Sequence, residues 1–313
     1  MDSSRAVPVR LRGIHKAFDG MPAVTDLSFD VPAASVCGFL GPNGAGKTTT
    51  LRMILGMFTP DRGRLEVFGD TDPTRHRARL SYLPEEKGLY KRMGVLEFLE
   101  FLGSLRGLSR SDARERGRHW LERFDLGAVA GARCETLSKG MGQKLQIAGA
   151  LLHDPELVIL DEPFSGLDPV NTSAVRDVVL ELKRDGRTVI LCTHVMEQAE
   201  QICDRVLLLA HGRQVLSGSL ADVRAAGVRT LRVDYAGDGS VFRDLPGVMD
   251  VADAGARAEL TLTNEADPDA VLAALIGQVR IQRFEVAQRS LHEVFVHAVG
   301  TSNEARGEEA TAS

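Results

Sequence analysis

The sequence predicts an α/β protein: a mainly parallel sheet with an antiparallel β edge and a helical insertion, followed by a small α+β domain. Three observations carry that prediction. Short apolar runs alternate with helical stretches over residues 139–209, the pattern of a parallel sheet covered on both faces. A glycine-rich loop starting at Gly41 stands between an apolar run and a helical one. Composition changes near Gly227, and a separately patterned stretch follows.

Val9, Leu11 and Ile14 alternate, as do Leu27, Phe29 and Val31, with Asp19-Gly20 as the turn between two strands. Residues 36–40 form a compact apolar strand that stops at the glycine-rich loop. A helix is expected over 48–57, ended by Thr59-Pro60-Asp61-Arg62-Gly63, with strands over 65–68 and 79–83. Leu96, Leu99, Leu102 and Leu105 then recur at a helical period, followed by Trp120, Leu121 and Phe124. Residues 88–135 therefore read as an insertion. Helices are expected over 139–152, 171–184 and 195–202, and strands over 157–160, 188–191 and 205–209. Beyond Gly227, strands over 231–235, 259–263 and 280–286 and helices over 268–276 and 291–299 make the α+β unit. The expected domains are 1–226 and 227–300. A Gly/Ser/Thr/Ala/Glu-rich tail, 301–313, is expected to be disordered.

The 313 residues suffice for one large domain or two ordinary ones. With 38 basic and 43 acidic residues, the net charge of −5 argues against a nucleic-acid binder working through bulk charge. No apolar run approaches the ~20 residues of a membrane helix, and no secretory signal is expected behind Met1. Cys37, Cys134, Cys192 and Cys203 form no CxxC pair, so reduced and mostly buried thiols are expected.

Gly41-Pro42-Asn43-Gly44-Ala45-Gly46-Lys47-Thr48, with Thr49 behind it, matches the phosphate-loop pattern G-x-x-x-x-G-K-[ST] in its strand–loop–helix context. Glycines let the backbone curl until its N–H groups point at phosphate oxygens. The helix N-terminus adds partial positive charge, Lys47 reaches the β- and γ-phosphates, and Thr48 offers a hydroxyl to Mg²⁺. Leu157-Val158-Ile159-Leu160 ends in Asp161-Glu162. A hard cation takes oxygen ligands, which suits Asp161, and Glu162 is placed to polarise an attacking water.

Leu137-Ser138-Lys139-Gly140-Met141 precedes that strand, Ser165-Gly166-Leu167-Asp168 follows it, and Thr193-His194 ends the next. This ordered set resembles the nucleotide-binding cassette of ABC transporters, a P-loop NTPase fold, over roughly residues 7–220. The resemblance implies an ATPase subunit whose membrane-spanning permease is a separate chain. It implies a peripheral place on the cytoplasmic face of the plasma membrane. It also implies a head-to-tail homodimer, or a heterodimer with a related cassette, that sandwiches MgATP. Ser138 and Gly140 would bind the γ-phosphate held by the other subunit's Lys47. His194 would contact that phosphate, Phe18 would stack on adenine, and Glu85, after Tyr82-Leu83-Pro84, would ligate Mg²⁺ at the Q-loop position.

Two departures mark a subgroup. The signature carries Lys139 and Met141 where the family has glycine and glutamine, and Glu85 replaces the Q-loop glutamine. Both resemble bacterial ABC-2-type exporter ATPases of the sodium and drug type, as does the C-terminal unit ending in Ser290-Leu291-His292-Glu293-Val294-Phe295. The alternative is a soluble ABC ATPase acting on nucleic acid or ribosomes. One phosphate loop, the absence of a heptad run and the acidic balance disfavour it.

Overall fold

The computed structural model describes residues 7–86, 88–225, 230–263, 265–287 and 290–299. The expected 226/227 boundary and the tail 301–313 lie outside the described residues. The chain divides into two compact units, Met1–Ser217 and Gly218–Ser313.

The first unit opens with β1 (Val9–Phe18) and β2 (Met21–Val31), paired antiparallel with Leu11 opposite Phe29 and Ile14 opposite Leu27. Asp19 and Gly20 both have positive φ, the backbone that a tight hairpin turn requires. Next come β3 (Val36–Leu40), α1 (Lys47–Ile54), β4 (Arg62–Val67) and β5 (Leu80–Leu83). The antiparallel edge is a three-stranded sheet in its own right, ordered β2-β1-β4. The helical insertion holds α2 (Val95–Leu105) and α3 (Arg110–Arg123). There follow α4 (Lys139–Leu151), β6 (Leu157–Asp161), α5 (Pro169–Arg184), β7 (Thr188–Thr193), α6 (Met196–Glu200), β8 (Arg205–Ala210) and β9 (Arg213–Ser219).

The six-stranded sheet runs β5-β6-β7-β3-β8-β9, and the four pairs from β5 to β8 are parallel. One core joins it to the antiparallel sheet. Leu11, Ile14, Leu27 and Phe29 meet Phe39, Leu51, Ile54, Ile159 and Ile190 there. Fully burying such side chains is worth about 1.5–3 kcal/mol each. Val175, Val178, Val179 and Leu182 give α5 a buried apolar stripe.

In the second unit, α7 (Leu220–Ala225) leads to β10 (Thr230–Ala236), β11 (Val248–Asp253), β12 (Arg257–Leu262), α8 (Pro268–Leu275), β13 (Arg280–Ala287) and a helix over 291–299. Its antiparallel sheet is ordered β11-β12-β10-β13. Leu231, Val233, Phe242, Leu260, Val271 and Leu275 fill its core, with Tyr235 edge-on to Phe242 at 4.7 Å.

Four elements depart from the sequence reading, one of them the short helix α7, which it did not include. The first helix stops at Ile54 because Gly56 adopts φ +70°, a left-handed helix end. Strands β9 and β11 were not expected. Neither contains a buried residue, so neither carries the apolar alternation that marks a strand.

Candidate functional site

Strands β6, β7 and β3 lie side by side and run parallel, so their C-terminal ends line one rim of the sheet. That rim is where ligands bind in open α/β sheets. From β3 the chain turns through Gly41–Gly46 into α1. At Gly46, with φ +96°, a Cβ would lie 2.7 Å from the Ala23 carbonyl oxygen, so a side chain has no room there. Lys47 is buried, and its Nζ donates to the carbonyls of Gly41 (2.6 Å) and Pro42 (3.0 Å). The ammonium is thus held inside the loop that would receive a phosphate.

A cleft of about 230 Å³ opens at this loop. Asn43, Gly44, Ala45, Gly46, Lys47, Thr48 and Thr49 line it together with Glu85, Asp161, Glu162 and Ala23. Asp161 is buried, and Thr48 Oγ1 donates to its Oδ2 across 3.3 Å. Tyr82 donates its phenol to the same oxygen at 3.4 Å. Burial, then the Asp161 charge, pushes that phenol up to about 12, so it remains a donor at neutral pH. Among the described residues no three of His, Cys, Asp and Glu gather into a metal cluster. A hydroxyl with one or two carboxylates nevertheless suits Mg²⁺, which usually keeps waters and takes substrate phosphates as further ligands. The donor set fits that ion.

Glu162 begins where β6 ends. Its backbone is left-handed at φ +49°, and its N–H donates to Cys192 O on β7 (2.9 Å). A non-glycine residue held there stores about 1–3 kcal/mol of strain, a feature that clusters at functional sites. The buried carboxylate is turned onto the end of β7. Oε2 accepts the Thr193 hydroxyl at 3.0 Å. Oε1 accepts the His194 backbone N–H at 3.0 Å and faces His194 Nδ1 at 2.6 Å. An ionised carboxylate only accepts, so Nδ1 carries the proton in this pair.

The remaining expected site residues lie elsewhere in the unit. Ser138 caps α4, its Oγ accepting the Met141 N–H at 3.2 Å, and it is exposed. Gly140 abuts the Asn171 amide, and Lys139 lies over Gly166. Phe18, 39% exposed, packs edge-on to Phe58 at 5.2 Å, with Lys16 Nζ 5.5 Å from its ring centre. None of these residues lines the phosphate-loop cleft of its own chain. Sequence reasoning gave no role to Tyr82 or Thr193. Both belong to the 82–85 and 193–194 motifs, but their partners are set by strand neighbours that local spacing does not reveal. All four cysteines are free and buried, and burial raises the Cys37 thiol to about 11.

Comparison with known proteins agrees with this geometry. Residues 24–165 match the family described as ABC transporter. Residues 218–299 match a family described as the C-terminal domain of DrrA1-3-like ATP-binding proteins. The chain is 36% identical over 288 residues to YhaQ of Bacillus subtilis (strain 168), an ABC transporter ATP-binding protein, covering 92% of this chain and 97% of that one. It is 35% identical over 307 residues to Nod factor export ATP-binding protein I of Rhizobium sp. (strain N33), covering 95% and 99%. A solved structure of an ATP-binding subunit of an ABC transporter superposes with a TM-score of 0.64 at 32% identity, over 70% of this chain and 92% of that one. The chain belongs to the ABC transporter ATP-binding proteins, the ATPases that drive ABC transport.

Proposed function

We propose that this subunit hydrolyses MgATP in the cleft between the phosphate loop and Glu162, and drives export through a separate membrane-spanning partner. The observation that carries the reading is the shared cleft. Lys47 and Thr48, which suit phosphate and cation, line the same space as Asp161 and Glu162. Thr48, Asp161 and Glu85 would hold Mg²⁺, which when bound neutralises phosphate charge. Lys47 and the loop N–H groups hold the β- and γ-phosphates. Glu162 takes a proton from the attacking water as the water oxygen bonds the γ-phosphorus. The β–γ bridging oxygen leaves with the bonding pair as part of ADP. Phe18 stacks on adenine. In a head-to-tail dimer, Ser138 and Gly140 of one copy and His194 complete the γ-phosphate site.

Two features support the membrane partner. No helix among the described residues is long and apolar enough to cross a membrane. A groove of about 270 Å³ beside the Glu85 loop is lined by Leu83, Pro84, Phe98, Leu102 and Leu105, and Leu105 is 66% exposed. The membrane partner would dock on this groove, next to Glu85. The relatives named for export support the direction of transport. The subunit then works at the cytoplasmic face, with the 218–299 unit, similar to the C-terminal domain of DrrA1-3-like ATP-binding proteins, as its accessory domain.

Reconstitution with a candidate polytopic membrane protein from the same genome tests the reading. Stimulated ATP hydrolysis and a complex surviving detergent are expected. An unchanged rate with no complex would contradict it.

A further inference from the structure

We propose that Thr193 is the positioning residue that fixes the Glu162 carboxylate for water activation. The inference rests on the reading of Glu162 as the base. Thr193 is 1% exposed at the end of β7, and β7 sets it directly opposite Leu40, the last residue of the strand that feeds the phosphate loop. Its hydroxyl has one proton and two lone pairs. Oγ1 accepts the Val195 N–H at 3.1 Å and stands 3.0 Å from Glu162 Oε2. Because an ionised carboxylate offers no proton, the hydroxyl proton is committed to Oε2.

The two carboxylate oxygens are then unequal. Oε1 is occupied twice by His194, through its backbone N–H and Nδ1. Oε2 takes the Thr193 hydroxyl and keeps a lone pair, which is the one left to receive a water proton. His194 thereby leaves Oε2 as the oxygen free to take a proton, and Thr193 fixes where that oxygen points. Glu162 sits on left-handed backbone just past the strand end, so the sheet alone does not fix its side chain. The hydroxyl ties it to the parallel strand next door, and small misplacements of a reacting group can cost about 100-fold in rate.

The test compares Thr193→Val, which keeps the shape and removes both the donor to Glu162 and the acceptor for the Val195 N–H, with Thr193→Ser, which keeps both. Steady-state ATP hydrolysis and binding of a fluorescent ATP analogue are measured on the full chain. Thr193→Val is expected to lower kcat roughly 10- to 100-fold, with KM and nucleotide affinity within about twofold of wild type. Thr193→Ser is expected to recover most of kcat. The double variant with Glu162→Gln should lose no more than Glu162→Gln alone, because residues acting through one another are not additive. Wild-type kcat in Thr193→Val, no recovery in Thr193→Ser, or fully additive losses would each overturn the proposal. If Glu162→Gln itself turns over normally, the base reading fails instead. If it is dead while Thr193→Val is normal, the base stands and only the positioning role falls.

Discussion

Thr48 Oγ1 stands 3.3 Å from Asp161 Oδ2, which joins the first turn of α1 to the end of β6 across 113 residues of chain. Two oxygen donors from separate elements are thus placed together before any cation is considered. Glu85 faces the same cleft from the loop after β5.

Glu85 is expected to complete this set. An amide oxygen still ligates Mg²⁺, so Glu85→Gln should hydrolyse ATP with a near-normal magnesium requirement. Glu85→Ala should raise the magnesium needed for half-maximal binding of an ATP analogue by about tenfold, the scale of losses around metal sites. If both variants match wild type across a magnesium titration, Glu85 is a solvated loop charge.

Phe18 presents an exposed ring steadied by Phe58. Base–aromatic stacking is worth about 1–3 kcal/mol. Phe18→Ala should therefore weaken ATP binding by about 5- to 150-fold while the melting temperature stays close to wild type. Unchanged affinity in a calorimetric titration would remove Phe18 from the adenine site.

His153 makes stability depend on acid. Its Nε2 lies 3.0 Å from Leu80 O and must donate to it, which leaves Nδ1 bare, buried and without a partner. Burial depresses its pKa; Arg106 and Arg116 push the same way, against the Leu80 carbonyl and Asp154. Below about 6.5, the ordinary histidine value, the unfolded chain then binds more protons than the folded one, so stability falls as pH drops. His153→Gln keeps a donor for Leu80 O and cannot titrate. Its melting temperature should fall less than that of wild type between pH 7 and 5, and parallel curves would refute the assignment.

Much of the first unit was legible because its signals are local. The alternation of Val9, Leu11 and Ile14 against Leu27, Phe29 and Val31 gave the hairpin, though not the register shifts between Leu11 and Ala17. The phosphate loop and the Asp161-Glu162 pair could be read because each is a contiguous run beside an apolar strand. Strand order could not. The bonds from Tyr82 to Asp161 and from Thr193 to Glu162 exist because β5, β6 and β7 are neighbours, and neighbourhood among parallel strands leaves no mark in spacing. The edge strand β11 was missed for a related reason. Only Val248 and Val251 turn toward the core, three residues apart, and Met249, Asp250, Ala252 and Asp253 are all exposed, so the period-2 signal of a strand is missing.

The central claim is that Glu162 is the base serving the nucleotide held by Lys47 and Thr48. Glu162→Gln keeps the side chain's shape and removes its basicity. Positioned bases contribute roughly 10²–10⁴-fold, and binding depends on the phosphate loop rather than on this carboxylate. The decisive measurement is single-turnover ATP hydrolysis by Glu162→Gln, with ATP retention followed on the same sample. Turnover should fall by about 10²–10⁴-fold while ATP stays bound and the dimer accumulates in gel filtration with MgATP. Near-wild-type turnover would contradict the account and transfer the base's role to another residue.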